Sequence, residues 1–233
     1  MPAPMNQDEI LHAALRLEEA SAQEILAWAV QSFYPRLTMA TAFGAEGCLI
    51  IHMLAEINPG VRVFNLETGY QFPETLQLRE RIKERYGIEV EYVQAEESVE
   101  AMEKRFGGPI YWSQPDECCR IRKVEPLKRA VEGYDAWISS IRRDQTPERA
   151  GVGVVSWDRK FNLVKISPLA RWTSKDIWEY IRANDVPYNP LHDRGFPSIG
   201  CYPCTRAVAE GEDERSGRWA GKEKRECGLH LQD

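Results

Sequence analysis

The chain has 233 residues, a formal net charge of −6, and ordinary shares of hydrophobic (43%) and charged (28%) residues. This length and composition predict one globular domain with its own core. The acidic balance argues against nucleic acid as a partner. Residues 1–7 lack the pattern of a signal peptide, and no stretch has the length and hydrophobicity of a membrane span. We therefore expect a cytoplasmic protein that binds no membrane.

Hydrophobic spacing predicts two helices at the start of the chain, over residues 6–19 and from Ser21, where Ser21 and Glu24 form a capping box. Short apolar runs then predict strands at 37–43, 61–66, 88–93 and 135–141. Helical patterns alternate with these strands at 48–57, 73–86, 96–106 and 116–132. This alternation predicts an α/β fold with a doubly wound, mostly parallel sheet.

The last third of the chain begins with an alternating pattern at residues 152–166, which predicts a hairpin turning near Asp158. Thr173 and Asp176 then predict a capped helix. Residues 211–233 are highly charged and contain glycines but few large apolar residues. We therefore predict one domain at 1–210 followed by a flexible tail at 211–233.

Ligands of doubly wound sheets bind at the carboxyl ends of the strands. The loops predicted there are residues 44–47, 67–69 and 142–149. Backbone N–H groups of the glycine-containing first loop suit a phosphate at a helix start, although an ordinary strand–helix turn explains the pattern equally well.

Two close pairs of cysteines, Cys118 with Cys119 and Cys201 with Cys204, lie about eighty residues apart. Cysteines in a protein that is not exported suggest metal or redox chemistry rather than structural disulfides. Four thiolates suit a tetrahedral zinc ion or an iron–sulfur cluster. Adjacent cysteines cannot easily share one small ion, so the spacing favours a cluster over zinc, over a redox disulfide and over no metal.

Cys227 is a separate candidate, because it lies among charged residues near the end of the chain rather than in an apolar run. Lys224, Arg225 and His230 favour its thiolate form, which predicts a nucleophile. An incidental exposed cysteine is the alternative. A nucleophile on a mobile tail can close over a substrate and then open to a partner.

Cationic residues cluster beside the predicted ligand loops and cysteines. They are Lys123, Arg142, Arg143, Arg149, Arg206, Arg215 and Arg218. Each one alone is most simply a solvated surface charge. Together, guanidinium and ammonium groups at this edge of the sheet predict a site for an anion.

The chain resembles the assimilatory adenylyl-sulfate reductases over nearly its whole length. The motifs that carry the resemblance are Phe43-Gly44-Ala45-Glu46, Cys118-Cys119-Arg120-Ile121-Arg122-Lys123, Gly200-Cys201-Tyr202-Pro203-Cys204-Thr205-Arg206 and Glu226-Cys227-Gly228-Leu229-His230. Two positions depart from the family pattern. Gly47 replaces an acidic residue, and Glu67 replaces the aspartate that usually precedes Thr68 and Gly69.

The resemblance implies an adenine nucleotide alpha-hydrolase-like fold and reduction of adenosine 5'-phosphosulfate to sulfite and AMP in sulfate assimilation and cysteine biosynthesis. It implies a [4Fe-4S] cluster on Cys118, Cys119, Cys201 and Cys204, and an S-sulfonated Cys227 that thioredoxin or glutaredoxin reduces. The substrate-binding residues that it implies are Phe43, Gly44, Ala45, Glu46, Glu67, Thr68, Gly69, Lys123, Arg142, Arg143, Arg149, Arg206, Arg215, Arg218 and His230. We also expect a homo-oligomer.

Three alternatives remain open. The first is reduction of 3'-phosphoadenylyl sulfate, or of both nucleotides, although enzymes of that type usually lack the paired cysteines. The second is an ATP-dependent sulfur-transfer enzyme acting on tRNA, which would need a Ser-Gly-Gly-x-Asp-Ser loop and a basic face. The third is a non-catalytic iron–sulfur redox sensor, which would not need Cys227.

Overall fold

A computed structural model describes residues 5–209 and 211–230. The strands are β1 Leu37–Thr41, β2 Arg62–Glu67, β3 Glu91–Gln94, β4 Ala136–Ile138, β5 Val155–Asp158 and β6 Leu163–Ile166. The α-helices are α1 Gln7–Leu17, α2 Ala22–Phe33, α3 Ala45–Ile57, α4 Pro73–Tyr86, α5 Val99–Phe106, α6 Ile110–Ser113, α7 Pro115–Cys119, α8 Glu125–Ala130 and α9 Ser174–Ala183. Every helix in these ranges is too short or too polar to cross a membrane.

The six strands form one sheet in the order β3-β2-β1-β4-β6-β5. All neighbours run parallel except β5, which pairs antiparallel with β6 as the predicted hairpin. The strand order reverses direction between β1 and β4, which is the topological switch point where such folds bind ligands. The structure confirms the predicted α/β fold with a mostly parallel sheet.

Sequence signals at the helix ends fix where several helices begin and stop. Ser21 with Glu24, and Thr173 with Asp176, form the two predicted capping boxes. Asn6 and Glu9 form a third at the start of α1, which was not predicted. Pro73 begins α4, and Gly87, with φ of 68°, ends it in the left-handed conformation that glycine adopts at low cost.

The sheet is buried on both faces, as expected for parallel strands between layers of helices. On one face, Met39, Val63 and Ile138 join the core that packs against α2, α3 and α9. On the other face, Phe64 and Trp137 join a smaller core beneath α8. Because side chains alternate along a strand, Trp137 lies on the face of the sheet against which Leu229 of the tail packs.

The predicted helix over residues 116–132 is not continuous. It consists of α7, a π-helical segment Arg120–Val124 and then α8, with Pro126 in the first turn of α8. Wider π-helical turns often occur at functional sites. Here the segment follows Cys118 and Cys119 directly and carries Lys123.

The predicted loose tail is docked onto the domain in the described range 211–230. Trp219 is 3% exposed and Glu226 is 5% exposed. The Trp219 N–H donates to the Cys204 carbonyl at 2.9 Å, and Lys160 donates to the Gly228 carbonyl at 2.6 Å. Mobility of the tail stays a prediction, and residues 231–233 lie outside the described residues.

Candidate active site

A cavity of about 1230 Å³, including its open mouth, lies at the carboxyl ends of β1, β2 and β4. Ligands of doubly wound folds bind at this edge of the sheet. The predicted site residues that line it are Gly44, Glu46, Lys123, Arg149, Arg215, Arg218, Cys227 and His230. The fold therefore brings residues from five separate segments to the switch point, which we call the nucleotide cavity below.

Cys227 lies in the nucleotide cavity beside a lysine. Burial raises the pKa of its thiol, but the positive charge of Lys123 and a hydrogen bond from the Leu229 N–H outweigh burial, so the pKa falls below its ordinary value. A lowered pKa gives more thiolate near neutral pH. The geometry therefore suits the predicted nucleophile.

A buried ion pair holds the residue next to Cys227. Both guanidinium nitrogens of Arg149 that face Glu226 donate to its carboxylate at 2.7 Å, and Arg215 approaches the same carboxylate at 3.5 Å. Both Arg149 and Glu226 are buried. Glu226 thus anchors the end of the tail while neutralising part of the positive charge.

Positive charge remains crowded around the nucleotide cavity. Burial and the nearby Arg149 lower the pKa of Arg215 to about 10. Burial, with Lys165, Arg149 and Arg215 nearby, holds the pKa of His230 well below its usual range. A bound anion would stabilise the charged forms of cationic groups that repel one another. The electrostatics therefore fit the predicted anion site.

Three of the predicted substrate-binding residues shape the cavity wall rather than line it. Arg142 is buried and forms ion pairs with Glu46 and Asp144. Phe43 is a core residue whose N–H donates to the Thr41 hydroxyl, and Ala45 is the buried first residue of α3. Their contact with substrate stays a prediction, and the structure shows them supporting the start of α3, which carries Glu46.

Two of the predicted cationic site residues, Arg143 and Arg206, do not line the nucleotide cavity. Arg143 forms a two-pronged ion pair with Glu18, at 2.6 and 3.1 Å, and also donates to the Val152 carbonyl. Arg206 is exposed and pairs with Glu212 at 2.9 Å. Neither residue lines the nucleotide cavity, because each is held by a nearer carboxylate. The structure shows these ion pairs, and contact of Arg143 and Arg206 with an anion stays a prediction.

All four predicted metal ligands line a second, smaller and mainly apolar cavity, which we call the cysteine cavity. They are Cys118, Cys119, Cys201 and Cys204. Lys123 and Trp219 line this cavity as well as the nucleotide cavity. Burial, with the neighbouring cysteines, raises the pKa of Cys118 to about 12. Within the part of the chain described, no three Cys, His, Asp or Glu side chains are grouped to hold a metal ion as they stand. The soft four-sulfur donor set of this cavity fits a cluster whose thiolates bind different irons.

The predicted nucleotide loop at residues 67–69 lies beside the cysteine cavity. The Thr68 hydroxyl lies 3.4 Å from the sulfur of Cys201, and Glu67 accepts from the Gly69 N–H at 2.7 Å. A Cβ on Gly69, whose φ is 77°, would clash with the Val99 side chain. Glu67, Thr68 and Gly69 do not line the nucleotide cavity, since the loop turns toward Cys201, and their contact with substrate stays a prediction.

Sequence reasoning missed several polar residues of the nucleotide cavity, among them Asn65 and Ser139, and it left His192 undecided. The Ser139 hydroxyl and both ring nitrogens of His192 are buried and have no hydrogen-bond partner among the described residues. Ser139 follows β4 directly, so its place at a strand end was the available signal. Unpaired buried polar groups of this kind suit a ligand that pairs with them.

Comparison with known proteins agrees with this geometry. Residues 36–207 match the phosphoadenosine phosphosulfate reductase domain. A phosphoadenosine 5'-phosphosulfate reductase of Gloeobacter violaceus is 48% identical over 97% of this chain and 95% of its own length. An adenosine 5'-phosphosulfate reductase 2 of Bacillus subtilis is 44% identical over 89% of this chain and 88% of its own length.

Solved structures show the same relationship. The phosphoadenylyl-sulfate reductase of Candida auris, in a phosphate complex, is 32% identical with a TM-score of 0.77, covering 89% of this chain and 100% of its own. The FMN adenylyltransferase of Candida glabrata, 16% identical with a TM-score of 0.59 over 95% of this chain and 80% of its own, shares the fold alone.

Fold and site together define an α/β protein that places a thiol in a cavity lined by cationic side chains at the edge of a mostly parallel sheet. The chain belongs to the phosphoadenosine phosphosulfate reductase family. The family resemblance read from the cysteine motifs is thereby confirmed.

Proposed function

We propose that this protein reduces adenosine 5'-phosphosulfate to sulfite and AMP in sulfate assimilation, with a dithiol protein such as thioredoxin or glutaredoxin as electron donor. The observation that carries the proposal is the position of Cys227. Its thiol lines the same cavity as Lys123, Arg149, Arg215 and Arg218. The names of relatives at 44% identity, an adenosine 5'-phosphosulfate reductase among them, support this reaction class.

The first step is attack by the Cys227 thiolate on the sulfur of the sulfate group. The bond between that sulfur and the bridging oxygen breaks, and AMP leaves with the electron pair. Cys227 then carries an S-sulfonate. The barrier is the approach of one anion to another, which cationic side chains lower by neutralising the phosphosulfate. Lys123 also stabilises the attacking thiolate.

The second step transfers two electrons from the partner. A thiolate of the dithiol protein attacks the Cys227 sulfur, and sulfite leaves with the electron pair of the sulfur–sulfur bond. The mixed disulfide is resolved by the partner's second thiol, which frees Cys227. Access for the partner requires the tail to move away from the nucleotide cavity, which agrees with the predicted flexibility of residues 211–233.

We further propose that Cys118, Cys119, Cys201 and Cys204 hold a [4Fe-4S] cluster. When bound, the cluster would supply fixed charge and cross-link two distant segments beside the nucleotide cavity. Lys123 lines both cavities, so it couples the two sites electrostatically. The reaction above takes its electrons from the dithiol partner.

The substrate is tested by incubating the anaerobically purified protein with sulfur-labelled nucleotide and no thiol. Label should collect on Cys227 much faster from adenosine 5'-phosphosulfate than from its 3'-phosphorylated analogue, and thioredoxin should release it as sulfite. The matched control is Cys48→Ala, which changes a buried thiol of α3 outside both cavities. It should trap label normally, whereas Cys227→Ser should trap none.

The alternatives give different results in the same assay. Faster trapping from the 3'-phosphorylated nucleotide would assign the protein to that substrate, as the name of the Gloeobacter violaceus relative suggests. Equal trapping would indicate dual specificity. A redox sensor would label with neither nucleotide. Stoichiometric zinc in a colourless protein would contradict the cluster.

A further inference from the structure

Lys165 is a buried lysine that lines neither the nucleotide cavity nor the cysteine cavity. It lies in the middle of β6, opposite Trp137 of β4 and Ser156 of β5, and is 3% exposed. Lysine is almost never buried to this degree without a partner. No carboxylate in the described ranges 5–209 and 211–230 forms an ion pair with it.

The ammonium group of Lys165 instead meets two rings. It lies 3.5 Å from Nδ1 of His230 and 5.2 Å from the ring centroid of Trp137. The imidazole of His230 is parallel to the Trp137 ring within 1°, with centroids 6.0 Å apart. Trp137 and His230 both line the nucleotide cavity, and Lys165 lies behind them. We call these three residues the lysine stack.

Charged groups from three neighbouring segments act on Lys165. They are Asp158 on β5, Arg149 in the loop after β4, and Glu226 and Cys227 on the tail. The Asp158 carboxylate accepts from the Trp137 indole and from the Phe161 N–H, both at 3.2 Å. Glu226 is bound by Arg149. Among the described residues, the side-chain hydrogen-bond contact of the Lys165 ammonium group is with Nδ1 of His230.

An ammonium group only donates hydrogen bonds, so Nδ1 of His230 must be the acceptor. The imidazole then carries its single proton on Nε2, because the second nitrogen is occupied. Burial holds the pKa of His230 well below its usual range, which keeps the ring neutral. Burial lowers the pKa of Lys165 to about 8, which leaves most of the ammonium protonated at neutral pH.

We propose that Lys165 is a positioning residue that fixes the tautomer and orientation of His230, so that Nε2–H serves as a neutral donor to the anion in the nucleotide cavity. The inference rests on the proposed function for the identity of that anion. The contact with Nδ1, the stacking on Trp137 and the burial of Lys165 carry it. Lys165 itself lies too deep to touch the substrate.

The tautomer is measured by nitrogen NMR on the intact, anaerobically purified protein labelled in its histidines, with His230 assigned through His230→Gln. The unmodified protein should show the proton of His230 on Nε2. Lys165→Met removes the donor while keeping the length of the side chain, and should shift the proton toward Nδ1 or mix the two forms. Lys165→Arg keeps a donor and should preserve Nε2–H. An unchanged tautomer in Lys165→Met overturns the inference.

Kinetics give the second readout. Loss of one oriented hydrogen bond should lower kcat/KM for the nucleotide roughly tenfold in Lys165→Met, with most of it restored in Lys165→Arg. Activity should also fall above about pH 8 as Lys165 loses its proton, and Lys165→Met should lack this limb. Lys175→Met, an exposed lysine on α9, is the control and should match the unmodified protein.

The two proposals fail separately. If the unmodified protein reduces neither nucleotide, the proposed function fails, and the NMR result still decides whether Lys165 fixes the tautomer. If Lys165→Met loses activity with the tautomer and pH profile unchanged, Lys165 is merely structural and the inference is overturned.

Discussion

At the scale of single residues, the ion pair between Arg149 and Glu226 determines where Cys227 lies. Glu226 precedes Cys227 directly, and its side chain is 2% exposed. Removing one partner of a buried pair leaves an uncompensated charge, which costs more than the pair itself contributes. The carboxylate therefore acts as an anchor whose loss should release the tail.

We expect Glu226→Gln to weaken tail docking by about 3 kcal/mol, because Arg149 and Arg215 lose the charge that they share. The measurement is the rate at which a disulfide reagent reaches Cys227 at fixed pH. The double variant Arg149→Met with Glu226→Leu, which removes both charges, should cost less than the two single changes together. Additive costs would contradict the anchoring role.

At the scale of elements, the sequence predicts most helices and strands because hydrophobic spacing and caps are local signals. The start of α3 is an exception. It begins at Ala45, three residues before the predicted start, with Gly44 as its N-cap. The two glycines suggested a loop, but Gly47 lies within α3, where close packing against β1 favours a residue without a Cβ. A Cβ at this position would lie 2.6 Å from the Thr41 hydroxyl, which a single sequence does not reveal.

This contact makes Gly47→Ala a test of the turn between β1 and α3. Alanine favours a helix by about 1 kcal/mol, but overpacking costs about 1–3 kcal/mol, so we expect a net loss of about 1 kcal/mol in urea unfolding. In a Thr41→Ala background, the same change should be neutral or stabilising. An equal loss in both backgrounds would contradict the steric explanation. An acidic side chain at position 47 would meet the same Thr41 hydroxyl.

The tail is the element whose docking should depend on pH. The pKa of His230 is lowered in the docked state, so the undocked tail binds more protons at acidic pH. Docking is therefore fully stable above the ordinary histidine pKa of about 6.5, and weakens by up to about 1.4 kcal/mol per pH unit below it. Hydrogen exchange of the tail amides, corrected for the intrinsic effect of pH, measures this. His230→Gln should lack the dependence, and a slope that persists in this variant would assign it elsewhere.

At the scale of the whole molecule, the sequence predicts which segments meet but not which side chains face the cavity. Strand ends and motifs placed Lys123, Arg215 and Cys227 together. Arg143 and Arg206 follow equally suggestive motifs, yet they pair with Glu18 and Glu212. Glu18 is a partner 125 residues away in the chain, and long-range pairs of this kind depend on packing. The stacking of His230 on Trp137 depends likewise on how the tail docks.

The cysteine cavity joins segments about eighty residues apart, so its occupant should stabilise the whole fold. Cys118 and Cys119 end α7, while Cys201 and Cys204 lie on a turn to which Trp219 of the tail is hydrogen-bonded. Bonds across such a distance remove chain entropy from the unfolded state, and metal binding of this kind contributes several kcal/mol. For a chain of this size, removing iron by chelation should lower Tm by about 10 °C.

Two variants make this prediction specific. Cys201→Ser should lose iron and show the same lowered Tm, which chelation should then leave unchanged. Cys48→Ala should keep its iron and its response to the chelator, because Cys48 lies in α3 away from the cysteine cavity. If chelation removes iron while Tm stays constant, the four cysteines do not hold these segments together, and the cavity must be shaped by protein packing alone.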